Sequence, residues 1–470
     1  MARKAIVIGA GITGIATAWA LSEKGYSVTL LEKNAQLGGF AASFKHKKYI
    51  LDYGPHKIYS TLPGIMNKYK EILGDDCLVV KKKNSLRLLG KYLSFPPKIG
   101  QMAMDIPKMA ILRCGLSFSY SLAQNTLTKK KVISYEDYFL KGFGMQAYKL
   151  LFEQYAWKVW GDPKTLSEEL ARKRTPVPSI FHLAKNVIFG TKDKPEVSAD
   201  IFYYPKYGIG QVCDKLVDSI KRNGGTIKTE VDIIAINKEG DKIKSVTYQD
   251  KQGKHEEKAD LVVSTIHLSD LTALFHPALP KEIITASSNL KFRALVMVYV
   301  FVDKNKINMK DNWIFFPEKE FIFNRVSDHA SFSAYTCPEG KTVITAEVTC
   351  NAEDDFYNSK PEEIYAKVIA DLEKADIIKK NDVEEFIVRK ARRVYPVYTI
   401  GFRIFLDKVI EHLSNIDNFY TLGRQGLFNY NNTDHCIDMA LHLAEYIQNS
   451  GSKEDWKKKL EYFDSYRIVD

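Results

Sequence analysis

The chain has 470 residues, 45% hydrophobic and 27% charged, enough for two or three domains with sizeable cores and too apolar for a disordered chain. Its net charge of +11 comes largely from Lys81-Lys82-Lys83, Lys129-Lys130-Lys131 and Lys457-Lys458-Lys459. No nucleic-acid module accompanies these runs, so they read as solvated surface, with attraction for an anionic substrate or a membrane as the alternative. The cysteines (Cys77, Cys114, Cys213, Cys337, Cys350, Cys436) are scattered with no C-x-x-C pair. That argues against a zinc site or a disulfide framework and fits a reducing cytosol.

Ala5-Ile6-Val7-Ile8 is an apolar run without alternation, which predicts a strand covered on both faces. Gly9, Gly11 and Gly14 follow as G-x-G-x-x-G, Ile15 to Lys24 are good helix formers, and Gly25 sits where a C-cap belongs. Val28 to Leu31 is a second strand, ended by Glu32. In this βαβ setting Gly9 allows the tight turn, Gly11 lets the backbone approach a pyrophosphate, and Gly14 lets helix and strand pack closely. The helix start offers free N–H groups to phosphates. Glu32 stands where a carboxylate accepts hydrogen bonds from ribose hydroxyls. A dinucleotide site is predicted; these rules leave NAD and FAD both open. The chain enters its first strand at once, so no signal peptide and a cytoplasmic location are expected.

Residues 99–124 are apolar but interrupted by Asp105, Pro107, Lys108 and Arg113, too broken to span a bilayer. A buried helical segment is expected, with an interfacial helix touching lipid as the alternative. From 201 to 265 a second α/β unit is predicted. It has a helix with Val212, Leu216, Val217 and Ile220 at helical spacing, a strand–turn–strand about Gly240, and a buried strand at Ala259–Thr265. "ALVMVYVFVD" and "KTVITAEVTC" read as strands. Near the end "NFYTLGRQGLF" runs from a strand into a Gly-rich turn, and a helix follows from Asp434 towards Gly451. No metal motif and no locally placed Ser or Cys nucleophile is present, so a cofactor would carry the hard chemistry.

These pieces resemble the glutathione-reductase-type flavoproteins, α/β proteins with a discontinuous FAD-binding Rossmann domain and an α+β substrate domain. The Gly38-Gly39 pair behind Glu32-Lys33 is similar to their FAD pattern. The resemblance implies an FAD domain from 1–85, 201–265 and 395–450. It also implies a helical substrate domain at 86–200, a β-rich one at 266–394, and a C-terminal tail at 451–470. It implies FAD as cofactor, held by Gly9, Gly11, Gly14, Glu32, Lys33, Gly38 and Gly39, by Gly54 and Pro55, and by Val231 in the middle segment. Gly423, Arg424, Asp434 and Ile437 complete the set, the last helix pointing its N-terminus, with His435, towards the flavin.

Tyr53-Gly54-Pro55-His56 resembles the YGPH segment of UDP-galactopyranose mutases, whose His loop lies against the flavin ring. His56 would then tune the flavin; from the residues alone it is equally a buried His bonded to backbone. "KYLSFPP" (91–97) is similar to the mutases' Tyr/Phe-Pro segment. "KVWGDPKTLSEELARKR" (158–174) is similar to a helix pair with a Val-Trp turn and a later arginine, matched to Arg174. "FNRVSDHASFS" (323–333) sets Arg325 where the mutases hold a diphosphate-binding arginine. "VYPVYT" (394–399) and "GRQGLFNYNNTDH" (423–435) resemble further mutase runs. The likeness covers most of the chain. Protoporphyrinogen-oxidase-like proteins of the amine oxidase type share the scaffold and several motifs. Two departures fall at the sugar side: Tyr430 to Asp434 is shorter than the eukaryotic-type pattern, and Tyr59 stands where prokaryotic mutases usually have His.

The resemblance thus implies a nucleotide-sugar mutase. It would interconvert pyranose and furanose rings through N5 of reduced FAD, with NAD(P)H as a candidate external reductant. Arg174 and Arg325 would clamp the diphosphate. Trp160, Tyr395, Tyr430 and Asn432 would bind substrate, and His56 would keep N5 nucleophilic. The alternatives are a flavin oxidoreductase acting on a porphyrinogen, polyene or amine, and a flavin-containing scaffold without turnover.

Overall fold

The apolar run at the start of the chain forms the middle of a sheet. In the computed structural model, which describes residues 2–95, 99–127, 131–174 and 200–468, the strand Lys4–Ile8 lies third of five. The order is Phe419–Thr421, Leu261–Ser264, Lys4–Ile8, Ser27–Leu31, Thr226–Lys228, and every pairing is parallel. Ala5 to Ile8 are fully buried, as helices on both faces of a parallel sheet require. The crossover helix Ile12–Glu23 is buried from Thr13 to Ser22. Helices Gly210–Arg222 and Thr433–Gln448 pack against it, and Trp19, Leu216, Ile220, Met439 and Leu443 share its core. Each such side chain taken from water contributes about 1.5–3 kcal/mol. Beside this sheet Asp232–Glu239, Lys242–Asp250 and Gly253–Lys258 form an antiparallel meander, joined in parallel by Phe275–His276.

These elements belong to a first compact unit made of Met1–Leu78, Tyr203–Lys291 and Gly401–Arg467. The second unit comprises Val79–Phe202, Phe292–Ile400 and Ile468–Asp470. Its frame is a seven-stranded sheet in the order Val383–Pro396, Phe292–Asp303, Lys341–Cys350, Arg325–Asp328, Trp313–Phe315, Asn84–Leu88, Lys91–Ser94. Trp313–Phe315 pairs in parallel with Asn84–Leu88, so stretches read from the sequence as a helical domain and a β-rich domain meet in one sheet. The alternating residues Ala294, Val296, Val298 and Val300 bury one face against the helix Pro361–Lys374, through Ile364, Val368 and Leu372.

Two expectations fail here. Residues 451–470 are not a tail: Lys453–Asp464 is a helix, opened by a Ser452–Asp455 capping box, with Trp456 and Phe463 buried in the first unit's core. Trp456, Leu460 and Phe463 recur at helical spacing between the lysines. The second failure is the apolar segment at 99–124. It forms helices Ile99–Asp105 and Lys108–Leu127, but Met104, Met109, Leu112, Leu116 and Tyr120 stand exposed rather than buried.

Candidate functional site

In the first unit three stretches converge on the start of the Ile12–Glu23 helix. A Cβ on Gly14 would stand 1.8 Å from the Gly9 carbonyl oxygen, so helix and turn touch backbone to backbone. A Cβ on Gly11 would meet nothing within 4 Å. No side chain caps this helix, so its first N–H groups face that open space. Gly38 and Gly39 arrive next to it. Gly38 N–H donates to the Ala10 carbonyl at 2.7 Å, and a Cβ on Gly39 would lie 3.2 Å from the Gly11 Cα. With φ of +100° and +57°, this pair adopts backbone that side chains resist. Gly423 completes the convergence, since a Cβ there would strike Thr13 Oγ1 at 2.6 Å. The result is a backbone cradle with positive helix-end character, suited to an anion such as a pyrophosphate.

Glu32 closes one side. Its Oε2 accepts the Ala10 N–H at 2.7 Å, and its Oε1 accepts from the backbone and side chain of Asn34 at 2.9 and 2.8 Å. Val231 N–H donates to the Glu32 carbonyl at 3.0 Å, which sets the middle segment beside it, while Lys33 turns outward to Asp232 at 3.2 Å. Asp52, to which sequence reading gave no role, anchors the next loop. Its buried carboxylate accepts from Ser43 Oγ and Tyr204 OH, both at 2.6 Å, and from Ile209 N–H at 3.2 Å. On that anchor stand Gly54, Pro55 and His56. His56 Nδ1 lies 3.0 Å from the Gly54 carbonyl, which only accepts, so the ring proton sits on Nδ1.

The helix Thr433–Gln448 begins at Asn432, whose N–H donates to His435 Nδ1 at 3.1 Å. Burial holds the His435 ring below its ordinary pKa despite the nearby Asp434, which keeps it neutral and able to accept that bond. Arg424 Nη2 donates to the Asn431 carbonyl at 2.6 Å and braces the turn. Among the described residues, the buried side-chain amide of Asn431 and Oδ1 of Asp434 have no hydrogen-bond partner. Such atoms are expensive unless a ligand completes them. Ile437 and Tyr430 are both buried, Ile437 within the apolar core.

The second unit gathers four of the expected substrate residues. Arg174 lies over the Trp160 ring, 5.9 Å from its centroid. Tyr155 meets Trp160 edge-on at 5.9 Å and Phe315 edge-on at 6.2 Å. Phe315 pairs across the sheet with Arg325, and Tyr155 and Tyr395 lie in the electrostatic surroundings of that guanidinium. Arg325 is not alone. Its Nε and Nη2 grip both oxygens of buried Glu347, directly opposite on the next strand. Burial by itself lowers the Arg325 pKa, but Glu347 more than offsets that and raises it above the ordinary value. Sequence reading also missed Lys158. Its Nζ donates to the carbonyls of Phe316 at 2.7 Å and Phe323 at 2.9 Å, stapling the Trp160 helix to the hairpin that carries Arg325. Burial lowers this ammonium to about 7.

Comparison with known proteins gives the family and the fold. Residues 7–72 match an NAD(P)-binding Rossmann-like domain, and residues 163–396 match the flavin containing amine oxidoreductase family. The chain belongs to the FAD-dependent amine-oxidase-like superfamily. The cofactor of this flavoprotein is FAD. It is similar over 293 residues, at 25% identity, to a 1-hydroxycarotenoid 3,4-desaturase from Flavobacterium sp. (strain P99-3). That alignment takes in 56% of either chain, so the flavoprotein spans about half the length of this curated relative. Among solved structures, reduced UDP-galactopyranose mutase superposes with a TM-score of 0.83 at 20% identity, covering 99% of this chain and 100% of that one. Cyclohexylamine oxidase from Brevibacterium oxydans IH-35A gives 0.69 at 15%, covering 96% and 99%. At such identities the solved structures show the fold of the flavoprotein, a glutathione-reductase-type α/β architecture.

Proposed function

We propose that this flavoenzyme rearranges a nucleoside-diphosphate sugar, interconverting its pyranose and furanose rings with the cofactor in reduced form. The observation that supports it most is the joining of Arg174 and Arg325, from distant segments, into one aromatic cluster with Trp160, Tyr155, Phe315 and Tyr395. Guanidinium forks match phosphate oxygens, and aromatic faces suit a base or a sugar. A diphosphate that leaves the sugar gains charge, and fixed cations stabilise that charge without reorganising. Glu347 fixes the position of Arg325 at the expense of part of its pull on anions. Tyr395 would add a hydroxyl to the phosphates.

In the same reading Gly11 and the start of the first helix would hold the FAD pyrophosphate, and Glu32 its ribose. The unpartnered atoms of Asn431 and Asp434, and the N-terminus at Asn432, fit the cofactor's polar edge. His56, held by Gly54, would orient a hydrogen bond to the ring system. Bound and reduced, FAD supplies an electron-rich ring nitrogen as the nucleophile. NAD(P)H would serve as the external reductant.

A second reading rests on the sequence relative: a flavin oxidoreductase acting on an apolar substrate, as the name of the carotenoid desaturase suggests. One experiment separates them. The dithionite-reduced protein is incubated with UDP-, GDP- and dTDP-hexoses and the nucleotide sugars are resolved by chromatography, alongside acceptor-linked oxidation of reduced polyenes and porphyrinogens. A ring-isomerised nucleotide sugar supports the mutase. Absence of product, with no nucleotide sugar perturbing the flavin spectrum, rejects it in favour of the oxidoreductase.

A further inference from the structure

The Lys108–Leu127 helix is turned the opposite way from an ordinary surface helix. The side it gives to the protein consists of Cys114, Ser117, Phe118, Ser121 and Asn125, which recur every three or four residues. This side is hydrogen-bonded to the neighbouring helix Tyr135–Tyr148. Ser121 Oγ donates to the Leu140 carbonyl at 2.7 Å, Asn125 Nδ2 to the Lys141 carbonyl at 3.1 Å, and Gln146 N–H to Ser117 Oγ at 3.2 Å. Gly144 presses directly on the Ser117 backbone, where a Cβ would come within 2.7 Å. The small polar residues are thus the packed ones.

The apolar residues lie on the other side. Met109, Leu112, Leu116 and Tyr120 share one helical stripe and are 60%, 53%, 65% and 71% exposed. Met104 on the preceding helix is also exposed. Isolated exposed apolar residues need no explanation, but a continuous stripe of them marks a surface that meets something.

Charge identifies what it meets. From Ile106 to Lys131 the sequence holds Lys108, Arg113, Lys129, Lys130 and Lys131 and no Asp or Glu. Lys108 and Arg113 are themselves exposed beside the stripe. Large apolar groups beside the exposed Lys108 and Arg113, with the half-buried Asp105 as the acid nearest them in the chain, match an anionic lipid surface, where the stripe enters the acyl boundary and the cations meet headgroup phosphates. Among the described residues no helix is long and apolar enough to cross a bilayer, so the contact lies in the plane of one leaflet.

We propose that the Lys108–Leu127 helix docks the protein peripherally on anionic membrane. This does not depend on which reaction the flavin site performs. The test is cosedimentation of the FAD-loaded protein with vesicles of phosphatidylcholine alone and with about a third phosphatidylglycerol. Binding is expected only to the anionic vesicles and is expected to fall as salt is raised. Leu112→Asp with Leu116→Asp should weaken it by about tenfold or more, with flavin absorbance and melting temperature unchanged. Should that double variant fail to fold, Lys108→Glu with Arg113→Glu probes the rim alone and should also release the protein. Equal binding to both vesicle types, no binding, or variants that bind as well as the wild type would overturn the proposal. So would a concentration-dependent dimer, seen by sedimentation velocity and abolished by the Leu112 and Leu116 changes, which would assign the stripe to a second copy of this chain.

Discussion

Arg325 and Glu347 face each other across adjacent antiparallel strands, and the guanidinium grips both carboxylate oxygens. The pair fixes a cation in place, which is a different task from supplying a mobile one. Replacing Arg325 by Ala should lower turnover of a diphosphate-bearing substrate by about a hundredfold or more. FAD should stay bound, since the cradle proposed for it is built from first-unit residues. Absorbance of the purified variant against its steady-state rate checks both halves. Loss of the flavin along with the rate would show that Arg325 has a different role.

Glu347→Gln tests the orienting carboxylate separately. The amide keeps the shape and one acceptor but removes the charge. Stability should drop by about 1–3 kcal/mol, read by urea unfolding. The KM for a nucleotide sugar should respond differently from kcat. The freed positive charge attracts the diphosphate more strongly, while the less fixed guanidinium stabilises the departing charge less well.

Lys158 gives a pH dependence whose sign can be worked out. Its folded-state pKa, near 7, lies below the unfolded value of about 10.4. Between those values the unfolded chain binds more protons, so this group makes stability rise with pH across that window, and its penalty is complete below pH 7. Lys158→Met removes that contribution and leaves the carbonyls of Phe316 and Phe323 short of a donor, at about 1–3 kcal/mol each. Urea midpoints at pH 7, 8 and 9 should climb more for the wild type than for the variant. Parallel curves would mean that the ammonium is not the titrating group.

Two alanine substitutions in the glycine motif should separate folding from cofactor binding. Gly14→Ala drives a methyl into the Gly9 carbonyl, so the cofactor-free protein itself should melt earlier. Gly11→Ala meets only open space and has an ordinary backbone, so its cofactor-free melting temperature should match the wild type. Its FAD affinity should fall, because the methyl occupies the approach to the phosphates. Thermal melts with and without added FAD report the two effects independently.

Asn431→Ala should trade in the opposite direction. In the empty protein this change removes buried polar atoms that have no partner, so stability should hold or rise by up to about 1 kcal/mol. FAD titration should show weaker binding if those atoms complete the cofactor's polar edge. Weaker stability with unchanged affinity would place Asn431 in the scaffold instead.

The dinucleotide cradle was legible because its parts obey local rules: a covered strand, glycines at fixed offsets and a helix start lie within one stretch from Ala5 to Glu32. The cluster of Arg174, Trp160, Arg325 and Tyr395 was legible only through resemblance, since no periodicity links residues so far apart. Lys158 and Asp52 escaped notice because their partners include backbone groups of distant loops, which have no residue signature. Burial of the 99–124 segment was inferred from its apolar content. Content reveals that a helix wants cover, not which side supplies it, and here Ser117 and Ser121 took the inner side. The closing helix was hidden by its lysines, although Trp456, Leu460 and Phe463 carried the period.

The interleaving of the two units also dictates a schedule for their assembly. The Leu261–Ser264 strand receives its outer neighbour only from Phe419–Thr421, and Asn84–Leu88 waits for Trp313–Phe315. On the ribosome the nascent chain therefore exposes unpaired strand margins for most of its synthesis, the situation in which chaperones are most needed. A chain released before residue 419 would keep the Leu261–Ser264 margin bare and should aggregate, even though every residue of its glycine motif is present.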